Sequence, residues 1–123
     1  LALRVVKLAP DHDLLRSVPV AYDILLTMAD GSVARYREAL RAWSTLDPDL
    51  AAAVATESRQ EYHAEVLVES LLANDGPNAV AAALRTMVAG QALDRITDHA
   101  AILGARIRYL ITGDPAHLAA EVR

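Results

Sequence analysis

From Asn78 to Thr112 the chain runs without a strong helix breaker, and no other feature restricts its fold as much. As an α-helix of ~35 residues this stretch would be about 50 Å long. Helices of that length joined by tight turns pack antiparallel as a bundle. Asn74-Asp75-Gly76-Pro77 supplies the turn before it, and Gly113 can take the left-handed C-cap position after it. Composition agrees: 54% of residues are hydrophobic and only 4% aromatic, which favours closely packed helices over sheet.

Two further helices are expected upstream. Asp47-Pro48-Asp49 is a start signal, with Asp47 as N-cap and Pro48 at the first helical position, and the helix it opens should run to about Ala73. Before it, Leu15, Val18, Tyr22, Leu26, Ala29, Val33, Tyr36, Leu40 and Trp43 step by three and four. That seam predicts a helix continuing through Asp30-Gly31-Ser32, kinked at Pro19, with Tyr36 and Trp43 in the core. Leu1 to Ala9 has helical spacing and should stop at Pro10, after which Asp11 offers an N-cap. The expected fold is all-α, an antiparallel bundle of three long helices over residues 20–113. Residues 1–19 form an N-terminal segment, and 114–123 a short helical tail opened by Asp114-Pro115. On the third helix Val80, Leu84 and Met87 continue through Gln91 into Asp94 and Asp98, while Leu93, Ile96, Leu103, Ile107 and Leu110 lie on another side. A second seam implies another layer, either a cation site, a neighbouring bundle or a second subunit.

Several function classes are disfavoured. There is no cysteine, hence no disulfide or thiolate metal site, which fits a reducing compartment. A net charge of −4 argues against a nucleic-acid partner, which would need a basic patch. No apolar run reaches the ~20 residues needed to span a bilayer, and no signal-peptide pattern is visible. Catalytic arrangements are not found either: no Glu-x-x-His, no glycine-rich phosphate loop, no serine nucleophile constellation. A non-enzymatic protein is expected.

Acidic pairs are the least ordinary feature. Asp94 and Asp98 are four apart, so on a helix their carboxylates are neighbours and weaken it by a few tenths of a kcal/mol. Glu57 and Glu61 repeat that spacing on the second helix, phased with the apolar stripe Leu50, Val54, Val68, Leu71 and Leu72. Carboxylates along a core face need a partner. Facing one another, the two pairs could hold a metal ion through oxygen ligands. Alternatively Asp94 and Asp98 are a solvated face, and the glutamates either reach water as the phase drifts along the helix or pair with Arg59 and Arg85. His99 as a ligand would favour iron, manganese or zinc over magnesium. His63 reads as surface, and Asp11-His12-Asp13 as a helix cap rather than a metal triplet.

Leu93-Asp94-Arg95-Ile96-Thr97-Asp98-His99-Ala100 resembles the L-E-R-I-G-D-H-A signature of the PhoU family of phosphate-uptake regulators, with Asp94 for its glutamate and Thr97 for its glycine. Arg108 to Asp114 is similar to that family's closing run, and Ala39 to Ala51 to its first helix and turn. The chain departs from the pattern at Gln91, Ile102 and Ala105, where the family often has arginine, asparagine and glutamate. Leu14 to Ala21, read as the remnant of a preceding bundle's signature, has Leu15 and Pro19 in place of both acids. The resemblance implies a cytoplasmic adaptor, peripheral to the membrane, that represses phosphate uptake and phosphate-responsive signalling through a phosphate ABC transporter and a sensor histidine kinase. It implies metal (iron, zinc, manganese or magnesium) at Glu57, Glu61, Asp94 and Asp98, and a homodimer to supply the family's second bundle. The competing readings are a metal-binding or metal-dependent bundle unconnected with phosphate, and a scaffold with vestigial acids.

Overall fold

The structure, a computed structural model, describes residues 2–56 and 61–122, with side chains over 3–55 and 64–118. Every element among the described residues is helical. In order these are α1 (Ala2–Val6), a 3-10 turn (Ala9–Asp11), α2 (His12–Arg16), α3 (Pro19–Thr45), α4 (Pro48–Thr56), α5 (Glu61–Leu72), α6 (Ala79–Thr112) and a 3-10 tail (Pro115–Val122). No helix among them is long and apolar enough to cross a membrane. Two of the three expected long helices are present as such, α3 with 27 residues and α6 with 34. The middle segment is described as two shorter pieces, α4 and α5.

Local chemistry explains most boundaries. Asp47 Oδ1 accepts the backbone N–H groups of Asp49 and Leu50 at 2.9 and 3.1 Å, an N-cap with Pro48 at the first helical position. Gly113 ends α6 at φ 72°, a conformation that glycine adopts without steric cost. Leu46 makes the corresponding exit from α3 at φ 51° without that freedom. Asp114 Oδ1 accepts the N–H of Ala116 and opens the tail. Pro19 does not kink a longer helix. It begins α3, where its missing N–H is no loss and its fixed φ suits the first turn. α1 likewise ends at Val6, and Pro10 lies inside the separate 3-10 turn.

The chain divides into two compact units, residues 1–31 with 60–95, and 32–59 with 96–123, so that α3 and α6 each contribute to both. In the second unit Ala39, Val54 and Ala100 form one buried layer and Ala42, Ala51 and Ile107 the next. From one layer to the next the numbering rises on α3 and α6 and falls on α4, so within this unit α4 runs opposite to the other two. The interior is mostly alanine. At Gly104 a Cβ would lie 2.8 Å from the Ala51 carbonyl oxygen and 2.9 Å from the Ala55 nitrogen, so α6 meets the α4 backbone directly. In the first unit Leu25, Met28 and Leu67 surround Gly90, all at side-chain distance.

Small residues decide which face of α3 is inside. Ala21, Leu25, Met28, Ser32, Ala39 and Ala42 are buried. The expected seam lies one residue further on, and there Leu26, Val33, Tyr36, Leu40 and Trp43 are between 38% and 58% exposed. Tyr36 and Trp43 are therefore not core residues: helices this close have no room for them, and the large side chains fall to the adjoining face. α6 shows the same displacement. Val80 and Leu84 are exposed and Met87 half-buried, while Ala82, Thr86, Ala89, Gly90 and Leu93 face inward. Of the later stripe, Leu93 and Ile107 are buried and Leu110 is exposed. On α5 it is Leu67 and Leu71 that are buried, and Val68 and Leu72 that face out.

The two helical glycines should respond differently to alanine. Gly104→Ala forces backbone apart and is expected to lower stability by about 1–3 kcal/mol. Gly90→Ala meets side chains alone, Leu67 at 3.2 Å and Leu25 and Met28 at 3.9 Å, and gains up to ~1 kcal/mol of helix propensity, so it should be near neutral. Urea denaturation of the two variants checks the difference.

Candidate functional site

The octapeptide Leu93 to Ala100 lies wholly within α6. Leu93 faces the interior of the first unit, and Ala100 that of the second, against Ala39 and Val54. Between them Arg95, Asp98 and His99 are exposed, and Asp94, Ile96 and Thr97 half-buried. The two apolar positions seven apart are buried, and Arg95, Asp98 and His99 look outward. Asp94 is not free, since it takes part in a polar or electrostatic interaction of its own.

Thr97 stands where the resembled signature has glycine, and its hydroxyl has a specific partner. Ser32, fully buried on α3, lies with Oγ 3.0 Å from Thr97 Oγ1 within the second unit. Either hydroxyl can donate. The hydrogen bond is part-buried and adds to other interactions that both residues make. It therefore fixes the register of α3 against α6 next to Asp98.

Of the four acids expected to bind metal, two are visible as side chains. Asp94 and Asp98 are one turn apart on α6, the first half-buried and the second exposed. Glu57 lies outside the described residues, as does the side chain of Glu61, whose backbone opens α5. Among the described residues no three of His, Cys, Asp or Glu come together as a metal-binding group. Asp94 and Asp98 fit a hard cation in ligand type, but two carboxylates supply only part of the roughly six oxygens that such an ion takes. The stripe used to phase Glu61 toward the core included Val68 and Leu72, which α5 exposes.

Asp11-His12-Asp13 is occupied otherwise. Asp11 makes no capping hydrogen bond and lies 3.5 Å from Arg85 Nε. His12 Nε2 is 3.1 Å from the Tyr22 hydroxyl, with the rings edge to face at 5.8 Å. Beside this pair the first unit has an apolar recess of about 200 Å³ lined by Val5, Leu8, Leu15, Leu25, Ala89 and Leu93 among others. The sequence reading missed it, because its walls come from three separate stretches. Thr86 Oγ1 is buried in the same unit without a hydrogen-bond partner.

Compared with known proteins, the chain matches no protein-family model, no curated protein and no solved structure.

The hydroxyl pair can be tested by a double-mutant cycle. Ser32→Ala and Thr97→Ala should each cost about 1 kcal/mol in denaturant titration, and together less than the sum of the two. Strict additivity would show that the hydroxyls do not act as a pair.

Proposed function

We propose that this chain is a helical regulatory adaptor of the PhoU type, rather than an enzyme, holding down phosphate uptake and phosphate-responsive gene expression. In this reading it works in the cytoplasm, against a phosphate ABC transporter and its sensor histidine kinase. α3, α6 and the α4–α5 segment correspond to the three antiparallel helices of one such bundle, with a second copy in place of the missing one. One observation carries the proposal: the burial pattern of Leu93 to Ala100, in which Leu93 and Ala100 anchor α6 while Arg95, Asp98 and His99 are presented to solvent. An adaptor acts by offering a fixed polar surface, and a charged run on the outside of a long rigid helix is one. Asp94 and Asp98, with Glu57 and Glu61, are the proposed metal ligands.

The test is regulatory. A host that lacks its own phosphate regulator and carries a phosphatase reporter should be repressed several-fold in high phosphate when this chain is expressed. Repression should weaken with Asp98→Ala and with His99→Ala at unchanged protein level. Metal analysis of the purified chain should find a bound transition metal or magnesium that the Asp98→Ala and Glu61→Ala variants lose. No repression by the wild-type chain, or turnover of phosphate esters that disappears with the metal, would contradict the adaptor reading.

A further inference from the structure

The second unit leaves one face of α3 uncovered. Val33, Tyr36, Leu40 and Trp43 recur at three- and four-residue spacing and are between 38% and 58% exposed. Together they present on the order of 400 Å² of mostly apolar surface, the size of the largest apolar patch on a typical monomer, which is often functional. Beside them on the same helix Arg37 and Arg41 are exposed and have no ion-pair partner among the described residues. Tryptophan, tyrosine and arginine are the residue types that dominate binding energy at protein interfaces. This face has all three.

The chain itself carries the complement. On α5, Glu65 and Glu69 are exposed, four apart and likewise without an ion-pair partner among the described residues. Val68 and Leu72 lie on the same face and are 40% and 82% exposed. Arg37, Leu40 and Arg41 on α3 thus have the same spacing as Glu65, Val68 and Glu69 on α5, with the charge inverted. On a helix, residues three and four apart share one face, so each triplet presents two neighbouring charges with an aliphatic residue to the same side of both.

We infer that α5 of a second copy of this chain docks on the Val33/Tyr36/Leu40/Trp43 face of α3, with Glu65 and Glu69 meeting Arg37 and Arg41. Val68 and Leu72 then cover apolar surface that neither face hides alone, and water leaves the space between the charges, which strengthens their attraction. Specificity comes from charge sign at matched spacing, since a like-charged helix on either face would be repelled. The inference deepens the pairing of copies in the reading above by naming both faces. It stands or falls apart from phosphate regulation, because association is measured with no transporter or kinase present.

The experiment is sedimentation equilibrium on the full chain and its charge-swapped variants, each first shown to keep its helical circular-dichroism spectrum. The wild-type chain should self-associate, less so as salt is raised. Arg37→Glu with Arg41→Glu should weaken association at least tenfold, and Glu65→Arg with Glu69→Arg should do the same. Mixing the two variants, or combining all four substitutions in one chain, should restore it. The inference is overturned by a wild-type chain that stays monomeric at its solubility limit, by association indifferent to both swaps, or by swaps that are not rescued on combination. Binding to anionic vesicles that the arginine swap abolishes, with the chain monomeric throughout, would assign the face to a membrane surface instead.

Discussion

At Gly104 a hydrogen atom stands where any other residue would carry a carbon, and the rest of the second unit follows from the approach this permits. With the α4 backbone within 3 Å of the place a methyl group would take, α6 and α4 lie closer than leucine-to-leucine packing allows. The neighbouring layers must then be thin, and Ala39, Ala42, Ala51 and Ala100 make them so. Such an interior gains little from burying large side chains. It depends instead on many close contacts, each small, between backbones and methyl groups. One added methylene is felt there more than in a leucine core, because the groups in its way are backbone and cannot rotate aside.

This explains where the sequence was legible and where it was not. Breakers and caps act through local chemistry, and Asp47-Pro48, Gly113 and Asp114 do in the structure what their residue types imply. The helix through Asp30-Gly31-Ser32 was legible as well, since a sustained three-four period outweighs one glycine. The phase of α3 was not. Two seams one residue apart satisfy the same period, and hydrophobicity favours the one with Leu40 and Trp43 over the one with Ala39 and Ala42. The first is set by size and the second by the distance to a neighbouring helix, which no single helix encodes. The first half of α6 was misphased for the same reason, through Val80 and Leu84, whereas on α5 the buried Leu67 and Leu71 and the exposed Val68 and Leu72 are alike in size and hydrophobicity does not choose between them.

For the candidate site, the octapeptide stood out by the spacing of Asp94 and Asp98 and by its resemblance to a known signature, while the burial of Ala100 at its far end is a finding of the structure. The role of Thr97 could not have been read in advance. Its partner Ser32 is 65 positions away and belongs to a tripeptide that looks like a turn. A hydroxyl pair in an alanine interior adds little stability, but it distinguishes one register from the next, which uniform alanine packing does poorly. Asp98 and His99 are thereby presented from a fixed position. The face of large side chains displaced from the interior is the other product of the same constraint, for a helix that buries its alanines must show its tryptophan to something.

Adjacent residues on α3 offer the most direct check of this packing. The natural chain has no cysteine, so Ser32→Cys and Val33→Cys each introduce a single thiol. Their rates of reaction with a soluble disulfide reagent, measured on dilute folded protein, report which seam faces inward. The thiol at position 32 should be protected and react only through unfolding, and the one at 33 should react nearly as fast as in the unfolded chain. Protection at 33 with reaction at 32 would show that α3 turns its large residues to the interior, equal rates would show that neither seam faces inward, and in either case the small-residue core described here would be wrong.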